Sequence, residues 1–411
     1  MPMVHYAWIV AITGTLIVFS SIGLARFAFG MVLPSMASDL LLDYREQGVL
    51  SASYFLGYFA VVSLLYWKVR GVGSRALCIG GLAVIAVGLL AISIIRNYLV
   101  ILVSNFAVGV GSGAAFIGAM AVVSVWFQSS HRGRAGGLVV SGAGMGILFS
   151  GYFVPQASSM LSMANWQVVW LVFAIITLAV WVLSALLLRD SPATLGLDAY
   201  GLPEKTSPKP EQGVARRNQL DKRRVLLQLG VIYAIFGATG PTYTTFIVTT
   251  MQNEFGVSEV NAGMMWAAIG GLSILSGGIF GYVSDLFGHR AGMFCALLFQ
   301  AIAFGLVGFG SGMGALYASC TLFGVSVFSM PAILAAAVGD YLGLEAAAAG
   351  FAGLTVMFAI GQVIGPFGAG YLADMTNTFK VSFVLAMLMN LVAALICLTL
   401  HPPPTGEERA S

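Results

Sequence analysis

Long apolar runs alternate with short polar breaks along the whole chain, and nearly every run is of membrane-crossing length. A bilayer core needs about 20 apolar residues in a helix. On that rule spans are predicted at 8–36, 47–66, 76–95, 98–127, 135–155, 165–188, 225–251, 262–284, 291–309, 315–338, 348–372 and 380–400, twelve in all. One long polar segment, Arg189 to Arg224, holds Pro, Gly and many charges and parts the spans six and six. It reads as a linker with at most a short surface helix. The pattern predicts an all-α membrane protein with a six-helix bundle in 1–188, a linker in 189–224, and a second six-helix bundle with a short tail in 225–411.

Composition agrees. Of 411 residues, 59% are hydrophobic and 9% charged, with a mean hydropathy of +0.93. Soluble domains carry about 25% charged residues, so most of this surface must face lipid. The net charge of +3 comes with no basic stripe, which argues against nucleic acid. Cys78, Cys295, Cys320 and Cys397 lie far apart inside apolar runs and have no metal-ligand spacing, so packing is their expected role. No metal or cofactor site is expected. The first run is too long for a signal-peptide core and is kept as a true span.

Orientation follows from the basic residues. With the N-terminus inside, only Arg45, Arg96 and Lys380 of the 19 Lys and Arg residues fall in outer connections, while Arg26 lies within a span. Both termini are therefore expected on the cytoplasmic side of an inner membrane. The halves are also related. Gly48, Gly73 and Arg75 recur at one spacing as Gly263, Gly288 and Arg290, and Asp39 recurs as Glu254. Gly142, Gly146, Gly151 and Tyr152 recur as Gly361, Gly365, Gly370 and Tyr371. Repeats of this kind place a substrate site between halves near the bilayer midplane.

The loop after the eighth span reads Gly281-Tyr-Val-Ser-Asp285-Leu-Phe-Gly288-His-Arg290. It resembles the G-x-L-A-D-R-x-G-R-R loop of the major facilitator superfamily. The resemblance implies that Gly281 and Gly288 allow close helix approach while Asp285 and Arg290 form a cytoplasmic latch. The matching first-half loop, Lys68 to Arg75, lacks the acid. Tyr6-Ala-Trp8, Arg132-Gly-Arg134-Ala-Gly-Gly137 and Ser191-Pro-Ala-Thr-Leu-Gly-Leu197 are similar to monocarboxylate and oxalate/formate-type carriers. Leu24-Ala-Arg26-Phe-Ala-Phe-Gly30 with Pro34 is similar to a broad set of bacterial carriers with an Arg-Phe pair in span one. Gly142-Ala143 stands where drug/proton antiporters have Gly-Pro, and Asn105 stands where many superfamily members carry arginine.

Arg26 leads the candidate residues. A guanidinium in hydrocarbon costs about 2.5–3.5 kcal/mol on insertion scales and marks a functional site by default; its planar fork can bind a carboxylate through two hydrogen bonds. Ser20, Ser21 and Gly23 precede it. In span seven, Tyr233, Thr239 and Tyr243 flank Gly240-Pro241, where a broken helix would point to a binding site. The threonines could instead satisfy their own backbone. Tyr54 and Tyr58 share a helix face, and Trp266 and Gln362 are lesser candidates. In the superfamily spans one, four, seven and ten largely line the cavity, which implies Asn105 and Ser329 as well. The Gly-rich stretches 109–113 and 142–146 read as helix-packing seams.

No Asp, Glu or His lies deep in a span. A cationic site without a counter-acid suits an anion and disfavours cationic drugs. The expectation is a secondary transporter, not an enzyme, moving a small organic anion, a monocarboxylate, by alternating access. Proton coupling through a group near a span end, such as Asp39 or Glu254, and anion exchange both stay open. The expected partners are the anion, protons and the lipid bilayer, with the chain acting as a monomer. The competing expectation is efflux of amphipathic compounds or drugs.

Overall fold

The computed structural model describes residues 5–68, 72–160, 165–201, 219–342 and 344–400. Among these the regular structure is helical, apart from one isolated bridge between Phe127 and Tyr200. In hydrocarbon every backbone N–H and C=O must bond within its own segment, and helices meet that demand. Twelve helical runs are long and apolar enough to cross a membrane. They are built from α1 (Tyr6–Val18), a π segment (Phe19–Phe27), α2 (Ala28–Leu40), α3 (Tyr44–Lys68), α4 (Ser74–Ile94), α5 (Tyr98–Trp126), α6 (Ser129–Met160) and α7 (Asn165–Leu187), followed by α8 (Gln219–Phe255), α9 (Glu259–Phe287), α10 (His289–Gly308), α11 (Met313–Ser326), α12 (Ser329–Leu342), α13 (Leu344–Thr376) and α14 (Lys380–Thr399).

The twelve spans match the expected number, but the irregularities fall elsewhere. Span one is α1, the π segment and α2 in one run of 35 residues. Span seven was expected to break at Gly240-Pro241, yet α8 continues through both. Span ten, by contrast, is interrupted at Val327-Phe328 between α11 and α12. The Phe328 N–H released there donates to Ser276 Oγ at 3.0 Å.

The chain divides into two compact units, residues 1–204 with 244–274 and residues 205–243 with 275–411. In the first unit, α4 and α5 form a hairpin whose turn holds Arg96 and Asn97. The Asn97 side chain accepts from the Leu99 and Val100 N–H groups and so caps α5. Asp39, near the end of α2, accepts from Trp166 Nε1 at 2.8 Å and pairs with Arg96. One carboxylate thus ties together the end of α2, the α4–α5 turn and the start of α7. The predicted glycine seams are packing contacts, with Gly109 against the Tyr54 carbonyl and Gly142 against the Thr15 carbonyl.

The first part of the expected linker is folded against this unit. Asp190 accepts from the Arg75 N–H at 2.9 Å. Trp126 Nε1 donates to the Arg189 carbonyl at 2.8 Å. The Tyr200 ring lies 5.1–5.9 Å from those of His5, Trp8, Phe127 and His131. Its regular structure is a short 3-10 turn, Pro192–Leu195.

The second unit has its own apolar core, in which Leu229, Ile232 and Phe236 of α8 meet Met293 and Leu297 of α10, with Ile333 and Leu334 of α12. Gly288, between α9 and α10, has φ +85°, a backbone that side-chain-bearing residues rarely adopt.

Candidate functional site

Arg26 stands in the last turn of the π segment. Each π turn holds one more residue than an α turn, and such segments concentrate at functional sites. The segment buries Ser20 and Ser21, whose hydroxyls have no hydrogen-bond partner among the described residues. Arg26 itself is half-buried. Two ring faces look onto its guanidinium carbon, Phe27 at 4.8 Å and Phe55 at 4.9 Å. Aromatic faces attract a cation by about 0.5–2 kcal/mol and hold it without supplying a counter-charge.

Arg26 borders a small cavity with Ala25, Phe29, Ser51, Tyr54, Phe55, Asn105, Thr244 and Thr245. Its volume is about 10 Å³, near the roughly 10–15 Å³ at which a cavity first admits one water. Among the described residues no carboxylate lines it, and Arg26 is its one charged residue. Ser51, Tyr54 and Phe55 come from one face of α3, since positions three and four apart coincide on a helix. Thr244 and Thr245 come from α8, and Asn105 from α5.

Contacts around the rim set this geometry. The Ser51 and Thr245 hydroxyls are 2.9 Å apart and hydrogen-bonded. Gly30 packs against the Thr244 carbonyl, so closely that any Cβ there would overlap it. Asn105 Nδ2 donates to the Leu50 carbonyl at 2.6 Å and lies 3.4 Å from Ser53 Oγ. Tyr54 donates to the Ser21 carbonyl at 3.4 Å, which links α3 to the π segment.

The structure therefore gathers Arg26, Tyr54 and Asn105 of the sequence candidates around one cavity. Tyr58 is half-buried and outside its lining. Tyr243 is fully buried in the second unit, its hydroxyl bonded to Ser319 at 2.8 Å and its ring stacked on Phe323 at 3.8 Å. Tyr233 stacks on Phe358 at 4.4 Å. Thr239 bonds the Ile235 carbonyl of its own helix at 2.9 Å, and Ser329 bonds the Ser326 carbonyl at 2.6 Å. Trp266 is fully buried and donates to Ser150 Oγ at 3.2 Å. Gln362 is buried in α13, and its Nε2 has no hydrogen-bond partner among the described residues.

Of the residues expected to form the latch, Arg290 reaches the Leu398 carbonyl near the end of α14, and Asp285 is exposed. Among the described residues nothing lies within 4 Å of the Cβ position at Gly281. What connects this loop to α12 is His289, which meets Asp340 at 2.9 Å and Ser284 at 2.8 Å.

Sequence reading missed Phe29, Ser51, Phe55, Thr244 and Thr245 as lining residues. The spacing of Ser51 and Phe55 around Tyr54 was the available signal.

Comparison with known proteins agrees with this architecture. The hexuronate transporter of Bacillus subtilis (strain 168) is 22% identical over 408 residues, covering 93% of this chain and 92% of that protein. A putative tartrate transporter of Agrobacterium vitis is 23% identical over 411 residues, covering 94% and 89%. Among solved structures, a bacterial homolog of the human lysosomal transporter Spinster, inward-facing and unoccupied, superposes with a TM-score of 0.74 at 13% identity, covering 96% of this chain and 97% of that one. Residues 18–398 match the family described as uncharacterised MFS-type transporter YbfB. With twelve membrane-length helices and a family match over most of its length, the chain belongs to that family of major facilitator superfamily transporters.

Proposed function

We propose that this protein is a secondary transporter of a small organic monocarboxylate, which docks on Arg26 during alternating access. The observation that carries the reading is the cavity lining: among the described residues one guanidinium, no carboxylate, and polar side chains from Ser51, Asn105 and Thr245. A single fixed cation balances one negative charge. A second charge on the substrate would be desolvated without a partner, at a cost of several kcal/mol. The relatives named for hexuronate and tartrate carry organic anions, which supports the class. A volume of about 10 Å³ is too small for such an anion, so binding requires Thr244 and Thr245 to withdraw from Gly30 and Ser51.

The moving lobes in this reading are the two related six-span halves, 1–188 and 225–411, joined by the 189–224 linker. The protein works as a monomer in an inner membrane with both termini cytoplasmic, coupled to protons or to a counter-anion. A second reading, efflux of amphipathic compounds, draws support from the rings of Phe29, Tyr54 and Phe55 around the cavity.

Thermal unfolding of the purified protein with short carboxylates tests the proposal. Arg26→Gln is expected to abolish the ligand-induced rise in midpoint. Arg26→Lys should retain only part of it, because a point charge replaces a two-pronged fork. Full stabilisation of Arg26→Gln by the same ligands would contradict the reading; stabilisation of both proteins by uncharged amphiphiles alone would favour efflux.

A further inference from the structure

The amide of Asn105 narrows the substrate class, and the argument rests on Arg26 holding the carboxylate. Asn105 is nine-tenths or more buried and borders the same cavity. Its Nδ2 is committed to the Leu50 carbonyl at 2.6 Å, with Ser53 Oγ at 3.4 Å. Turning the amide over would set two carbonyl oxygens face to face, so the network fixes its orientation. What Asn105 can offer a molecule in the cavity is therefore its Oδ1, an acceptor.

An acceptor beside a carboxylate site repels the carboxylate and invites a donor. The cavity is about the size of one water, so the groups around it border one common space. A carboxylate seated on Arg26 brings the substituent of its neighbouring carbon to Asn105. The Ser51 hydroxyl, hydrogen-bonded to Thr245 at 2.9 Å, is released when Thr245 withdraws and can then donate to the second carboxylate oxygen. An ammonium at that carbon would face the guanidinium with no acid among the described lining residues, so the fitting donor is a hydroxyl. We infer that the site selects 2-hydroxycarboxylates, with Asn105 accepting the hydroxyl proton.

The test compares binding of propanoate, 2-hydroxypropanoate and 2-methoxypropanoate to the full-length protein in detergent, read as ligand-dependent shifts in unfolding temperature. Wild type should bind 2-hydroxypropanoate about tenfold more tightly than propanoate, the scale of one buried hydrogen bond. The methoxy compound, which has no proton to give, should fall to the propanoate level or below. That comparison needs no variant. In Asn105→Leu the tenfold preference for 2-hydroxypropanoate over propanoate should vanish, whatever the variant's own affinity for propanoate. Equal binding of all three ligands by wild type, no binding of any, or a preference that survives Asn105→Leu would overturn the inference. The Arg26→Gln variant separates the two layers. If the preference is absent but both acids need Arg26, only the role of Asn105 fails. If both acids bind without Arg26, the anion site itself fails.

Discussion

Gly30 decides how near Thr244 comes to the cavity. A Cβ at this position would overlap the Thr244 carbonyl, a backbone atom that cannot rotate away. Gly30→Val should therefore part α2 from α8 and destabilise the protein by about 1–3 kcal/mol, the range for overpacking. The check is a lower unfolding midpoint of the ligand-free protein; an unchanged midpoint would mean that this contact is loose. Arg26 and Asn105 were legible in the sequence because a charge or an amide inside an apolar span is costly and stands out. Ser51, Thr244 and Thr245 were not, because hydroxyls in membrane helices so often bond their own backbone. Tyr243 finds its partner, Ser319, in α11, and no local pattern announces that pairing.

At the scale of elements, the first span carries most of the information. Its length and apolar character were plain, while the change from α to π register within it was not. The π segment meets α3 through Tyr54 and Phe55, tertiary contacts that no local pattern announces. The opposite error arose in span seven. Gly240-Pro241 weakens a helix locally, but α8 stays continuous through it. The junction at Asp39 gives an independent test of element packing. Trp166→Phe keeps an aromatic ring but removes the pyrrole portion of this buried indole, with the N–H that donates to Asp39. A loss of at least about 1 kcal/mol is expected, read as reduced thermal stability with ligand affinity unchanged. An equal loss of affinity would mean that this junction and the Arg26 cavity are coupled.

For the whole molecule, the twelve spans and the central polar stretch were readable because lipid imposes length and apolarity on each helix. The grouping of 244–274 with the first six spans was not readable, since it depends on contacts such as Ser51 with Thr245. If opening the cavity requires these two residues to separate, joining them should stop transport. Ser51→Cys with Thr245→Cys, made in a background lacking the four native cysteines, is expected to lose uptake on oxidation and regain it on reduction. Undiminished uptake by the cross-linked protein would show that the cavity opens another way.

The claim on which all of this depends is that a guanidinium in the first span receives the anion. Counterflow of radiolabelled short carboxylates into proteoliposomes preloaded with the unlabelled acid measures it most directly. The account predicts transient accumulation with wild type, reduced accumulation with Arg26→Lys, and none with Arg26→Gln at equal amounts of inserted protein. Accumulation by Arg26→Gln at the wild-type rate and half-saturation would contradict it.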